Sequence, residues 1–314
     1  MNIPFIAFDE VDPQLDWLAL TDALAKGHTL PRAEIDDTFL YRKDDTLLSR
    51  AAMIDGLGIA VKSATIFPGN PAKGKPMVNG AVNLFSDEDG ALEALVDFHL
   101  VTKWKTAGDS LLAARRLARP DSRKILIVGA GTVGRTLRAA YASAFPQATF
   151  TVWNRSPDGA KAFAEAFPNT TAVENLAEAV HAADIITSAT MSTNPLIQGE
   201  WLRAGQHLDG IGAYRPDMRE FDDAVLKRSR IFVDSRATTV DHIGELKIPL
   251  AAGTITRDDI LADYYDLQSG LFRRATDQEI TLFKNGGGAH LDLMTSRYIL
   301  DVWRKTSSRG HAES

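Results

Sequence analysis

The sequence predicts an α/β protein: a parallel sheet with helices on both faces in the second half, and an α+β unit in the first. Two observations carry this. Beyond residue 121, short β-branched runs alternate with helical segments, whereas before it two-residue alternation and turn signals dominate. The change of texture coincides with LARPDSRK, where a Pro-Asp-Ser break is flanked by charge.

In the first half, apolar periodicity over residues 15–25 predicts a helix. Alternation over 37–53, with Asp44-Asp45 as its turn, predicts paired strands. Residues 58–67 read as a further strand, and 80–97 as a hairpin around Asp-Glu-Asp-Gly. Residues 101–117 read as a helix, with Leu100, Trp104, Leu111, Leu112 and Ala113 as core candidates. In the second half, strands at 125–129, 149–153, 184–189, 208–213 and 230–234 alternate with helices at 136–144, 158–166, 174–183 and 220–228. Over residues 277–303, Gly286, Gly287 and Gly288 open a last helix that returns to the first half. The expected domains are therefore 1–120 with 290–314, and 121–289.

Composition narrows the function. A chain of 314 residues, 45% hydrophobic and 24% charged, has the length for two domains and the balance of a folded globular protein. A net charge of -6 argues against a nucleic-acid binder, whose footprint is a basic face. The lack of cysteine removes disulfides, thiolate nucleophiles and cysteine-ligated metals. The opening MNIPFIAFDEVD has no basic n-region, and no run of about 18 apolar residues occurs. The expectation is a cytoplasmic protein without signal peptide or membrane span. Asp241, His242 and Glu245 near Lys247 read as a solvated helix face rather than a metal site, and His99 and His207 have no partner pattern.

The strongest local signal is Gly129-Ala130-Gly131-Thr132-Val133-Gly134. Glycine turns often only punctuate a fold, but this one follows the run ILIV and opens a helix, the context of a Rossmann-type dinucleotide site. Gly129 permits the tight turn, Gly131 lets a pyrophosphate approach, and Gly134 lets helix and strand pack closely, while Thr132 and Val133 lie at the helix start. At the end of the next strand, where NAD sites carry a carboxylate, stand Asn154, Arg155 and Ser156. They form either a polar turn or a set of donors for a 2′-phosphate, and the position favours the donors and NADPH over NADH. Ala189, Thr190 and Met191 close a later strand and either line the cofactor cleft or pack there.

Taken together, these motifs resemble the ornithine cyclodeaminase/mu-crystallin family from about residue 45 to 303. The resemblance is carried by GIAVKSATIFPGNPAKGKPMVNGAVNLF, KTAGDSLLAARRLARPDSRKILIVGAGTVG, VWNRS, GIGAYRPDMREFDD, VDS and FKNGGGAHLD. It implies a Rossmann domain, a substrate and dimerisation domain completed by the C-terminal helix, and homodimers. Ornithine cyclodeaminases carry an Asp in a G-[GA]-D-x-P segment; here Tyr214 holds that place in Gly212-Ala213-Tyr214-Arg215-Pro216. The stretch instead resembles the G-A-S-R-P-D-W-R-E-L run of mu-crystallin-type ketimine reductases. That implies NADPH-dependent reduction of Δ1-pyrroline-2-carboxylate or Δ1-piperideine-2-carboxylate to proline or pipecolate.

A strand lysine such as Lys62, taken alone, reads as a solvated surface residue; its apolar flanks favour burial. The match to the family's G-V-K motif makes it the catalytic candidate, for proton delivery or carboxylate polarisation. The family's carboxylate-gripping Arg-Thr pair appears as Lys105-Thr106, which keeps the charge and loses the fork. An upstream family Arg becomes Asp37, and the usual Met-Pro-Ala becomes Arg50-Ala51-Ala52, which offers Arg50 as a substitute clamp. His290 replaces a small apolar residue, either packed at the helix start or near substrate. Three rivals stay open: an ornithine cyclodeaminase, an amino-acid dehydrogenase, and a non-catalytic protein that holds NADPH and a small ligand.

Overall fold

The computed structural model describes residues 3–312, with side chains through 308. The chain divides into two compact units, Met1–Lys105 with Gly288–Ser314, and Thr106–Gly287. The sequence places its boundary at the Pro-Asp break, whereas the packing changes within the unbroken helix Phe98–Leu117. The helix runs on through Gly108 with no proline or turn cluster, so the sequence shows no break there.

The first unit is built on a six-stranded sheet of β1 (Phe5–Ile6), β2 (Glu34–Arg42), β3 (Asp45–Ile54), β4 (Gly58–Ile66), β5 (Val78–Phe85) and β6 (Leu92–Asp97). Its order is β1-β6-β5-β4-β3-β2, antiparallel except for the parallel β1–β6 pair. The β2–β3 turn falls at Lys43-Asp44, one residue earlier than expected, with Lys43 in the left-handed region at φ 55° and Asp45 already in β3. Along β4 the side chains alternate: Gly58, Ala60, Lys62 and Ala64 are buried, and the residues between them half-exposed. The C-terminal helix Ala289–Ala312 packs on β3, β4 and the helix Trp17–Gly27. A Cβ on Gly27 would lie 2.6 Å from Met294 Sδ, so glycine lets these two helices approach.

The second unit is an eight-stranded parallel sheet, β7 (Lys124–Val128), β8 (Thr149–Trp153), β9 (Thr170–Ala172), β10 (Ile185–Ser188), β11 (His207–Gly210), β12 (Ser229–Val233), β13 (Ile260–Ala262) and β14 (Ile280–Lys284). The order is β13-β12-β14-β11-β10-β7-β8-β9. Leu126, Ile186, Leu208, Leu282 and Ile231 from its strands join Val180, Val225 and Leu226 in one core. Strands covered on both faces read as continuous apolar runs, as β7 and β10 do, whereas β8 alternates in burial.

Sequence reading missed β14, although it lies between β11 and β12 and is buried throughout. Its five residues are too short for periodicity to distinguish strand from helix, and they end on a lysine. Two expected helices start late because a capping side chain ends the preceding loop. Asn175 accepts from Glu178 N and starts the helix at Leu176; Asp222 accepts from Val225 N and starts the next at Asp223. Chain order runs outward in opposite directions from β7 and β10, so the topological switch point lies between them. Among the described residues no helix is long and apolar enough to cross a membrane.

Candidate active site

At that switch point a cavity of about 390 Å3 opens outside the carboxyl ends of the strands. Gly129, Gly131, Asn154 and Arg155 line one side, and Ala189, Thr190 and Met191 the other. Gly129 has φ 111°, and a Cβ there would lie 2.7 Å from Ala189 O. A Cβ on Gly134 would lie 2.1 Å from Gly129 O, so glycine is needed for the helix to seat on the turn. A Cβ on Gly131 would meet nothing within 4 Å, so its space is open. The helix Thr132–Ala144 starts there without a side-chain cap, leaving the N–H groups of its first turn to an anion, with Thr132 and Val133 exposed. These features fit a dinucleotide pyrophosphate.

The second strand's polar residues divide their tasks. Asn154 Oδ1 accepts from Ala130 N at 3.2 Å, and its Nδ2 donates to Ser156 O at 3.1 Å, so this amide braces the glycine turn. Ser156 lies outside the cavity lining and caps the helix Pro157–Ala166, accepting from Gly159 N at 3.4 Å. Arg155 is exposed beside Asn154 on the cavity wall.

The first unit gathers most of the other candidates. Lys62, 5% exposed, donates from Nζ to Asp292 Oδ1 at 2.9 Å and Thr102 Oγ1 at 2.8 Å, with the ammonium 4.6 Å from the Phe98 ring centroid. Burial brings its pKa down to about 8; Asp292 resists this, while Lys105 and Arg50 add to it. Burial works against ionisation of Asp292, yet Lys105, Lys62 and Arg50 hold its carboxyl below the ordinary value. Arg50 faces Lys62 across β3–β4 and Asp37 across β2–β3, so the three share one sheet face. Its Nε and Nη2 donate to the two Asp37 oxygens at 3.2 and 2.5 Å.

Lys105 is buried in the same electrostatic neighbourhood. Lys62, Lys105 and Arg50 thus bring three cations to bear on Asp292, with Arg50 also bonded to Asp37. His290 is fully buried, edge-on to His28 with ring centroids 5.3 Å apart, and burial followed by Lys105 presses its pKa to about 3. It is neutral at physiological pH. Thr106 follows Lys105 on the same helix, and its carbonyl accepts from Asn285 Nδ2 at 3.2 Å.

Sequence reading missed Asp292, Thr102 and His28, which carry no motif of their own; only the buried lysine's need for partners pointed toward such groups. It also misjudged Glu245. Asp241 and His242 are exposed, with Asp241 paired to Arg257, but Glu245 is buried and accepts from Glu220 N and Phe221 N at 2.7 and 3.2 Å. Those two backbone donors make burial of the carboxylate tolerable.

A parallel sheet with its glycine turn at the switch point is that of a dinucleotide-binding α/β protein. The chain belongs to the ornithine cyclodeaminase/mu-crystallin family, whose profile matches residues 49–307. It is 49% identical over 304 residues to the Delta(1)-pyrroline-2-carboxylate reductase of Paracoccus denitrificans (strain Pd 1222), covering 95% of this chain and 96% of that protein. Its structure is similar to that of the Thermococcus litoralis Delta(1)-pyrroline-2-carboxylate reductase in complex with NADH and L-proline, with TM-score 0.87, 26% identity and 98% of each chain covered. An archaeal alanine dehydrogenase dimer with bound NAD is similar too, with TM-score 0.88, 26% identity and 98% of each chain covered.

Proposed function

We propose that the protein is an NADPH-dependent reductase of cyclic imine carboxylates, converting Δ1-pyrroline-2-carboxylate or Δ1-piperideine-2-carboxylate to proline or pipecolate. The observation that carries this reading is the buried Lys62–Asp292 pair with the cations of Lys105 and Arg50 acting on it. Lys105, with Arg50 braced by Asp37, binds the substrate carboxylate. Lys62 holds its proton on Nζ, oriented by Asp292 and Thr102, and transfers it to the ring nitrogen as the C=N bond becomes CH–NH. A nicotinamide held by the glycine turn at Gly129 and Gly131 would supply the hydride. His290, buried and neutral, adds no charge to this cluster.

NADPH is favoured over NADH because the second strand ends without a carboxylate and offers Arg155 on the cavity wall. A homodimer goes with the same reading. The sheet face away from the C-terminal helix leaves Met53 48% exposed, and β2 leaves Phe39, Leu40 and Tyr41 exposed, an apolar surface that a second copy would cover.

The likeness to an alanine dehydrogenase keeps one alternative: the same hydride step on an imine formed from a keto acid and ammonia. The test is NADPH oxidation with each cyclic imine acid, with and without ammonia, alongside NADH and Lys62→Ala. Ammonia-independent turnover that prefers NADPH and is lost in the variant supports the reductase. Turnover only with ammonia transfers the assignment to a dehydrogenase.

A further inference from the structure

Asp234 follows β12 directly and is fully buried, yet its carboxylate collects four donors. Oδ1 accepts from Ser235 N at 2.7 Å and from Thr239 Oγ1 at 2.5 Å. Oδ2 accepts from Gly286 N at 3.1 Å and Gly287 N at 2.7 Å, 52 and 53 residues further along the chain. A Cβ on Gly286 would lie 1.9 Å from Thr239 Oγ1, and Gly287 has φ 70°, so the approach depends on glycine at both places.

The residue before them is held as well. Asn285 N donates to Gly210 O at 3.1 Å, and Asn285 O accepts from Lys284 Nζ at 2.6 Å. Asn285 Nδ2 donates to Thr106 O and Ser110 Oγ at 3.2 and 3.1 Å. Residues 285–287 are therefore tied into the second unit up to its last residue, Gly287. Gly288 then opens the helix Ala289–Ala312, its carbonyl accepting from Leu291 N at 3.1 Å. Asp292 stands in the first turn of that helix. Only Gly288 and the first helical residues separate the glycines held by Asp234 from the carboxylate that bonds Lys62.

We propose that Asp234 is a positioning residue for the Lys62–Asp292 pair: by fixing the main chain at Gly286 and Gly287, it sets where the helix begins and so where Asp292 meets Lys62. A carboxylate suits the task because its two oxygens accept on the Thr239 side and the glycine side at once, through charge-assisted bonds. The inference rests on the proton-transfer reading of Lys62 and adds the residue that fixes its partner from outside the cluster. Lys62 is faced by Asp292, Lys105 and Arg50; Asp292 resists the fall in its pKa, and the two cations add to it. A displaced Asp292 therefore leaves the lysine easier to deprotonate.

The readout is the titration of Lys62 itself, followed by NMR in protein carrying isotope-labelled lysine, with Lys62→Arg identifying the signal. The wild-type midpoint is expected at about 8. Asp234→Asn turns an amide NH2 toward donors on one side, so the midpoint should fall by about half a unit or more, and the reductive rate should decline at correspondingly lower pH. Thr239→Ala removes one donor to Asp234 and keeps both glycine bonds, so its midpoint should stay in place. One glycine inserted between Gly288 and Ala289 keeps every bond of Asp234 and cuts their link to Asp292, so it too should lower the midpoint. A midpoint that stays in place in Asp234→Asn or in the insertion overturns the proposal, as does an equal fall in Thr239→Ala. The insertion alone decides where Asp234→Asn does not fold. Wild-type protein that reduces no imine acid, while the midpoints behave as stated, fails the functional reading and leaves the positioning role of Asp234 standing.

Discussion

Asp292 lies 230 residues beyond Lys62 in the chain, yet its Oδ1 sits 2.9 Å from the lysine Nζ, with both side chains buried. A buried lysine is costly unless paired, and this pairing keeps it mainly protonated at neutral pH while burial keeps the proton transferable.

The pH dependence follows in sign. With its pKa lowered to about 8, Lys62 is a proton donor below that value and a base above it. Imine reduction should therefore fall as pH rises through about 8, while proline oxidation should rise over the same interval. Steady-state rates in both directions, with the cofactor saturating, check this; a reductive rate flat to pH 10 would remove Lys62 from proton transfer.

Asp292→Asn removes the group that resists the depression of the Lys62 pKa. The fall in the reductive profile should move below 8, so the variant loses most activity near neutrality and recovers part of it in acid. NADPH affinity should be unchanged, since no part of the glycine turn involves Asp292. A profile scaled down without displacement would mean that Asp292 only supports packing.

Two glycines of one motif should behave differently. Gly134→Ala forces a Cβ to 2.1 Å from Gly129 O and should lower stability by about 1–3 kcal/mol, seen as a lower thermal midpoint. Gly131→Ala meets no protein atom within 4 Å. It should leave the melting temperature in place and weaken NADPH binding, because its methyl occupies space meant for the pyrophosphate.

Arg155→Ala should reduce affinity for NADPH by roughly 10- to 100-fold and leave NADH nearly unaffected, as expected for one charge-assisted contact to a phosphate. Parallel fluorescence titrations with the two cofactors are the check. Equal loss for both would place Arg155 elsewhere than at the 2′-phosphate.

Arg50→Ala should raise KM for the imine acid about tenfold with a smaller effect on kcat, since its part is to hold the carboxylate. Asp37→Ala keeps the charge but frees the guanidinium from its brace, so KM should rise less. An unchanged KM in Arg50→Ala leaves the clamp to Lys105.

The parts legible in the sequence were those governed by local rules. The glycine turn needed only its flanking strand and helix, and covered strands such as β7 and β10 declared themselves as apolar runs. What stayed hidden depends on contacts between distant residues. Ile280–Lys284 gives no period, and Lys284 reads as a surface residue until Gly210 O and the buried carboxylates around it are known. Asn154 was legible as polar but not as a brace, because its partner Ala130 lies on another strand's turn. Lys62 was singled out through family resemblance; its burial became concrete only with Asp292 and Thr102 in place.

The position of β14 also governs when the protein can assemble as it leaves the ribosome. β11 and β12 are not neighbours, and the strand that joins them is the last of the sheet to be synthesised. Until residue 284 has emerged, the two must wait with unpaired inner edges. The helix that carries Asp292 follows later still, so Lys62 is without this partner for most of translation. The pairing that holds the lysine's proton is thus acquired late in synthesis, once that helix has been made.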